Sequence, residues 1–243
     1  MIGTLINTGA IVLGAVVGLT TKLDVAVHRQ QQIKVLLGVA TAFFGLKLLW
    51  TGLATGTASH FFYQFIIVVL AMILGSIAGR WCRIQSVMNR IGQSAKAKLE
   101  RVTSGGAKVP GDGFMTATLL FCAAPLGIVG ALEDGLSRNI APLAIKAVMD
   151  GLAALSFTRM FGWPVLLSAV PLGTLLFALT ILGAALESPL GDQGLLGVVH
   201  ATAGLLLTYV ALVIFEVKRV EIGNYLPALI LAPVLMKLSQ TIF

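Results

Sequence analysis

The chain has 243 residues, of which 57% are hydrophobic and 11% are charged, and its net charge is +7. An average soluble domain is roughly 45–50% apolar and about 25% charged, so this composition, with a mean hydropathy of +0.95, excludes a soluble fold. Long apolar runs replace the short alternating segments of an outer-membrane barrel. The two cysteines, Cys82 and Cys122, form no zinc-binding or disulfide pattern. The basic residues lie between the apolar runs, which favours contact with anionic lipid over nucleic-acid binding.

The apolar runs predict an all-α, polytopic membrane protein of about eight transmembrane helices. A run of about 18 or more apolar residues is typical of a membrane-spanning helix. Such runs lie at about 3–21, 33–54, 61–80, 114–132, 140–160, 164–186, 194–215 and 224–242. Prolines within or beside these runs predict kinks, at Pro125, Pro171, Pro227 and Pro233.

Lysine and arginine are concentrated in the loops on one side of the membrane. They follow the first, third, fifth and seventh predicted spans, whereas Arg138 stands alone in the opposite loops. Because basic loops remain in the cytoplasm, both termini are predicted to lie outside it. The longest basic loop has apolar residues at three- and four-residue steps over about 84–103. This pattern predicts an amphipathic helix on the cytoplasmic surface, serving either as a connecting elbow or as a sensor of lipids or partners.

The chain also has weak internal similarity. An offset of about 165 residues lays the first two spans on the sixth and seventh, with Gly18 on Gly183 and Gly38 on Gly204. Equivalent helices would start on opposite sides of the membrane, because two spans separate the two groups of three. The single transmembrane domain 1–243 would then be an inverted 3+3 repeat, with repeat one at about 3–80, a central helix pair at about 114–160 and repeat two at about 164–242. Chance similarity between apolar helices is the alternative.

Asp150 and Lys146 lie four residues apart near the middle of the fifth predicted span, within AIKAVMDGLAALSF. An ionisable side chain inside a membrane is costly and normally faces protein or water, so each one is a candidate functional residue. We predict that Asp150 binds a cation or proton and that Lys146 competes for it as a counter-charge. The alternative is a structural salt bridge, because a Lys and an Asp at this spacing can neutralise each other.

A second acidic pair, Glu133 and Asp134, closes the fourth predicted span at its outer end. Since the fourth and fifth spans are antiparallel neighbours, Asp134 is expected to lie above Asp150, and a cation could meet the two carboxylates in turn. Carboxylates suit hard divalent cations, so Asp150 and Asp134 are the predicted metal ligands. Asn7, in the first span, is a candidate neutral ligand. The alternatives are a solvated helix end for Glu133 and Asp134, and a packing hydrogen bond for Asn7.

Two pairs of glycines at four-residue spacing mark faces where helices can approach closely: Gly14 with Gly18, and Gly75 with Gly79. Packing within the chain is one interpretation of these faces. A homo-oligomer formed through one of them is the other.

No catalytic residue and no cofactor are predicted. The sequence contains no phosphate-binding loop, zinc-protease helix, nucleophile elbow or dinucleotide-binding fingerprint. The buried charges and the repeat therefore favour a secondary transporter or channel for a small ion or solute, with a divalent cation as one candidate, over an enzyme. The alternative is a non-transporting scaffold or assembly factor in which the charges are structural.

Four segments carry a resemblance to a known family: MIGTLINTGAIVLGAVVGL, GFMTATLLFCAAPLGIVGALEDGL, KAVMDGLAALSF and YLPALILAPVL. Together they resemble the bacterial YdfK/YqgA-type integral membrane proteins, a family of unknown function, over essentially the whole chain. The resemblance implies a bacterial inner-membrane protein and no particular activity. KAVMDGLAALSF is also weakly similar to the aspartate-bearing helices of manganese efflux pumps of the lysine-exporter superfamily, and only Asp150 matches directly.

Overall fold

The computed structural model describes residues 1–21, 27–54, 58–103, 110–191, 193–217 and 220–242. Four of the basic loop residues that set the predicted orientation lie outside these ranges: Lys22, Lys108, Lys218 and Arg219. Every candidate site residue lies within them.

Within the described ranges the chain forms α-helices and two short 3-10 helices, and no strand. The α-helices are α1 Ile2–Thr20, α2 Val27–Leu53, α3 Ala58–Trp81, α4 Ile84–Thr103, α5 Pro110–Cys122, α6 Pro125–Leu136, α7 Ala141–Phe161, α8 Ala169–Glu187, α9 Gln193–Ile214 and α10 Ala228–Ile242. The 3-10 helices, Trp163–Ser168 and Ile222–Tyr225, precede α8 and α10. Among the residues that the structure describes, seven helical segments are long and apolar enough to cross a membrane, and α5 with α6 makes an eighth span if the bent pair crosses once. The prediction of an all-α polytopic membrane protein is confirmed.

The fourth predicted span is broken. Helices α5 and α6 meet at an angle of 59°, and Ala124 between them has extended backbone angles of φ −72° and ψ 119°. The cause is Pro125, the first residue of α6, because proline has no backbone N–H and its ring would collide with the carbonyl of Phe121 in a continuous helix. The kink predicted at Pro125 is therefore a complete interruption.

The helix predicted at about 84–103 is present as α4, which begins at Ile84 and ends at Thr103. Its place on the cytoplasmic surface stays a prediction. Its first turn is anchored to the 3-10 helix before α10. The Gln85 amide N–H donates to Oδ1 of Asn224 over 3.2 Å, and Oε1 of Gln85 accepts the Gly223 amide N–H over 2.8 Å. These bonds hold the start of α4 against that 3-10 helix.

The chain divides into two compact units. Unit 1 contains Met1–Ile33 and Val87–Gly183, and unit 2 contains Lys34–Ser86 and Ala184–Phe243. Unit 1 therefore holds the first, fourth, fifth and sixth predicted spans, and unit 2 holds the second, third, seventh and eighth. In unit 1, α1 runs along α7 over a core that includes Ile11, Leu143 and Leu172.

In unit 2, α2 and α9 meet along a seam of glycines. A Cβ atom added to Gly45 would lie 2.9 Å from the carbonyl oxygen of Gly204, and one added to Gly52 would lie 2.5 Å from that of Gly197. Any larger side chain at these four positions would separate the two helix backbones. Close helix contact is the usual role of glycine in membrane proteins, where packing rather than water exclusion drives association.

Both glycine pairs singled out in the sequence pack within the chain. Gly14 and Gly18 contact α7 at Gly151 and Leu155, and Gly75 and Gly79 contact the region of Asn224 and Ala228. This packing favours the intramolecular interpretation of the two motifs, and a homo-oligomer through these faces stays a prediction.

Candidate ion-binding site

The five predicted site residues all lie in unit 1, on three helices. Asn7 is on α1, Glu133 and Asp134 are on α6, and Lys146 and Asp150 are on α7. All five side chains are buried. They form a central group around Asp150 and a second group around Asp134.

The central group consists of Asp150, Lys146 and Asn7. The Lys146 ammonium forms an ion pair and a hydrogen bond with Oδ2 of Asp150, and Nδ2 of Asn7 donates to the same oxygen over 3.1 Å. Lys146 is 1% exposed, Asp150 is 7% exposed and Asn7 is fully buried. Both donors therefore stabilise the ionised carboxylate, as a buried charge requires.

Close packing of α1 on α7 makes this group possible. Gly14 contacts the Gly151 backbone directly, and a Cβ atom on Gly18 would lie 2.6 Å from the carbonyl oxygen of Leu155. At this separation a short side chain such as Asn7 can reach Asp150 from the facing helix.

One oxygen of the central group has no protein partner. Oδ1 of Asn7 is buried and accepts no hydrogen bond from the part of the chain that the structure describes. A buried carbonyl oxygen without a partner is costly. Because Nδ2 of the same carboxamide is bonded to Asp150, this open acceptor belongs to the site.

The second group holds Asp134 against the start of α1. Oδ2 of Asp134 lies 2.8 Å from the Met1 amino nitrogen and 3.4 Å from the Thr4 backbone nitrogen, which donates to it. The hydroxyl of Thr4 also lies 3.0 Å from the hydroxyl of Thr180 on α8. An acidic side chain at a helix N-terminus is favourable, because backbone N–H groups there lack partners within the helix.

Glu133 lies next to Asp134 in sequence but has different contacts. Its Oε2 accepts a hydrogen bond of 3.0 Å from the hydroxyl of Ser137, and that hydroxyl also lies 3.0 Å from the Glu133 carbonyl oxygen. The structure thus places Glu133 at the end of α6, with Ser137 as its local partner, while Asp134 contacts α1.

Helix α1 connects the two carboxylates. Thr4 contacts Asp134 and Asn7 contacts Asp150, and a separation of three residues corresponds to a rise of about 4.5 Å along a helix. Asp134 and Asp150 therefore follow one face of α1, about one turn apart.

The broken span lies beside the central group. A Cβ atom on Gly127, in the first turn of α6, would lie 2.7 Å from Cε of Lys146, so this glycine provides the room for the lysine side chain. Irregular backbone at membrane depth is normally found where it is buried in protein or lines a cavity.

Sequence reasoning missed several members of the two groups. Gly127 and the Met1 amino group contact site residues directly, and Thr180 contacts Thr4, which bonds Asp134. The contact partner of a threonine or glycine in an apolar helix cannot be predicted from the sequence, because packing between distant segments determines that partner. Pro125 did carry a signal, since it predicts an interrupted helix.

The described residues contain no cluster of three or more His, Cys, Asp or Glu side chains placed to hold a metal ion. Asp150 and Asp134 each lie near amino groups. Their assignment as metal ligands stays a prediction.

Comparison with known proteins places the chain in a family. The family described as "Protein of unknown function (DUF554)" matches residues 2–237. The chain belongs to this family. It is 30% identical to "Uncharacterized protein YqgA" of Escherichia coli (strain K12) over 240 residues, which cover 96% of this chain and 94% of that protein. It is 25% identical to "Uncharacterized membrane protein YdfK" of Bacillus subtilis (strain 168) over 238 residues, which cover 97% of this chain and 96% of that protein.

These matches confirm the resemblance to the YdfK/YqgA-type proteins, and the name of YdfK agrees with a membrane location for the DUF554 chain. No solved structure matches. Neither relative is named as a manganese efflux pump, so that weaker resemblance stays a prediction.

Proposed function

We propose that this protein is a secondary transporter or channel that moves a small ion or solute across the bacterial inner membrane. The observation that carries the proposal is the buried pair of Asp150 and Lys146 beside the interruption between α5 and α6. Transporters commonly place their binding sites near the bilayer midplane at interrupted helices. Ionisable residues inside membranes mark substrate and ion pathways by default.

The arrangement of carboxylates supports a pathway. Asp134 and Asp150 follow one face of α1, and an entering cation could contact one and then the other. Asn7 offers an open, buried oxygen beside Asp150. In this proposal Asp150 is the central binding residue, Lys146 is its competing counter-charge, and Glu133 with Asp134 forms the outer acidic entrance or exit. No enzymatic activity is part of the proposal.

The division into two units supports the inverted repeat that the proposal includes. Unit 1 contains the first and sixth spans, which are equivalent in the predicted repeat. Unit 2 contains the second and third spans together with their equivalents, the seventh and eighth. Each unit thus contains helices of repeat one together with their equivalents in repeat two. Transport would then involve alternating access around the central group, with both termini outside the cytoplasm and the loop helix α4 on its cytoplasmic side.

A membrane scaffold or assembly factor is the second candidate, and one observation favours it. Lys146 and Asp150 are four residues apart on the same helix and already form a direct ion pair. Such a pair can fix the packing of α7 without ever binding a ligand.

Flux measurements on purified full-length protein in liposomes separate the two candidates. The probes are Na⁺, K⁺, methylammonium and Mn²⁺, and the variants are Asp150→Asn and the control Glu216→Gln, an exposed acidic residue in unit 2. A transporter gives flux above protein-free liposomes that falls at least tenfold in Asp150→Asn and persists in Glu216→Gln. Flux equal to that of protein-free liposomes for every probe, from a folded wild-type protein, would reject transport and favour the scaffold.

A further inference from the structure

We propose that the cation exchanged at Asp150 is monovalent, and that it enters by taking the place of the Lys146 ammonium. This inference rests on the proposed transport function and narrows its substrate class. It rests on the charge balance of the central group, on the oxygens there and on the contact of Gly127 with the lysine side chain.

The charge balance favours a single positive charge. Asp150 and Lys146 form a neutral pair at a site that is almost completely buried. A monovalent cation that replaces the ammonium neutralises the carboxylate as before, so the displaced ammonium of Lys146 is the one unpaired positive charge. A divalent cation would add a second one, and the cost of burying an unpaired charge away from water is high.

The oxygen atoms available as ligands at the site also favour a monovalent cation. Lys146 and Asn7 both donate to Oδ2 of Asp150. Among the described residues, neither of these two bonds goes to the other carboxylate oxygen of Asp150, and Oδ1 of Asn7 is fully buried and accepts none. A hard divalent ion takes about six to eight oxygen ligands. Two oxygens, with the oxygen vacated by the ammonium, are too few for such an ion but suit a small ammonium, whose N–H donors can replace those of Lys146.

Gly127 leaves the room in which the lysine side chain lies. Gly127 lies against Cε of Lys146, at a position where a Cβ atom would come within 2.7 Å. Lysine has a flexible four-carbon stem and a compact charge, so the ammonium can leave Asp150 without a shift of the α7 backbone. Gly127 acts here as a positioning residue, because it sets where the competing ammonium lies.

The test compares the four flux probes in liposomes that contain the full-length protein. We expect Na⁺, K⁺ or methylammonium to give flux that Asp150→Asn reduces at least tenfold, and Mn²⁺ to remain at the level of protein-free liposomes. Asp150-dependent flux of Mn²⁺ without flux of any monovalent probe would overturn this inference and leave the transport proposal standing. Failure of all four probes would overturn both.

Gly127→Ala provides a second test that leaves every charged group in place. The added methyl group would press on the Lys146 side chain and weaken its hold on Asp150. We expect the apparent KM for the transported monovalent probe to fall at least threefold, while Gly9→Ala, on α1 where an added Cβ atom meets nothing within 4 Å, leaves the KM unchanged. If Asp150→Asn does not fold, the KM values of Gly127→Ala and Gly9→Ala still test the inference. An unchanged KM in Gly127→Ala would overturn the competition between Lys146 and the transported cation.

Discussion

Gly14 of α1 and Gly151 of α7 lie in direct backbone contact, with no room for a Cβ atom on Gly14. Glycine at such a position lets two helices approach until their backbones pack against each other. The consequence reaches the candidate site, because Asn7 lies two turns earlier on α1 and bonds Asp150 over 3.1 Å. The close packing of α1 on α7 through small residues therefore also positions Asn7 against Asp150.

Gly14→Ala should destabilise the protein. The added methyl group must push α1 away from α7, and overpacking of this kind typically costs about 1–3 kcal/mol of unfolding free energy. Thermal unfolding of the purified protein in detergent measures the effect. Gly9→Ala, on the same helix with open space around the added atom, is the matched control. Equal unfolding temperatures for the two variants would contradict the close contact.

Lys146 and Asp150 should show strong coupling in a double-mutant cycle. Lys146→Met or Asp150→Leu alone leaves a buried charge without its partner, which costs about 3–5 kcal/mol. The double variant replaces both charges by apolar groups and should recover most of that loss. The measurement is the unfolding free energy of all four proteins in the same detergent. Additive single effects would mean that the two charges do not form a pair.

Much of the fold could be predicted from the sequence because the length of each apolar run indicates a membrane-spanning helix. The predicted span at about 140–160 corresponds to α7, Ala141–Phe161, and the predicted surface helix at about 84–103 corresponds to α4, Ile84–Thr103. The fourth span shows the limit of this reasoning. Its apolar run is continuous, and only Pro125 indicates that α5 and α6 are separate helices at 59°.

Part of the candidate site could be predicted because an ionisable side chain inside a membrane is costly and therefore rare. Asp150 and Lys146 are conspicuous in an apolar helix, and their spacing of four residues indicates their contact. The bond from Asn7, 143 residues away in sequence, and the contact of Thr4 with Thr180 depend on how α1 packs on α7 and α8. A single sequence carries no record of such contacts between distant segments.

Glu216 should contribute to stability only above acidic pH. It lies outside the membrane-spanning segments, and the hydrogen bond and charge of Lys34 lower the pKa of its carboxyl below the ordinary value. A group whose pKa is lower in the folded than in the unfolded state stabilises the fold above the unfolded pKa, and this contribution disappears as pH falls through the folded pKa. Because Glu216 is exposed, the contribution is small. Wild type should exceed Glu216→Gln slightly in unfolding temperature at pH 7, and the difference should shrink as pH falls below the ordinary carboxyl pKa. A difference that grows as pH falls would contradict the ion pair.

Pro125→Ala should straighten the broken span. Alanine restores the missing N–H and removes the ring that blocks a continuous helix from α5 into α6. Spin labels at the exposed Met115 and Arg138, in a background with Cys82→Ser and Cys122→Ser, report the separation of the two arms. Removing a 59° bend should lengthen that distance by about 4 Å at a rise of 1.5 Å per residue.

Pro142→Ala is the control, because Pro142 lies in the first turn of α7, where proline fits a helix. An unchanged distance in Pro125→Ala would assign the break to packing within unit 1, because the proline alone would then not account for it.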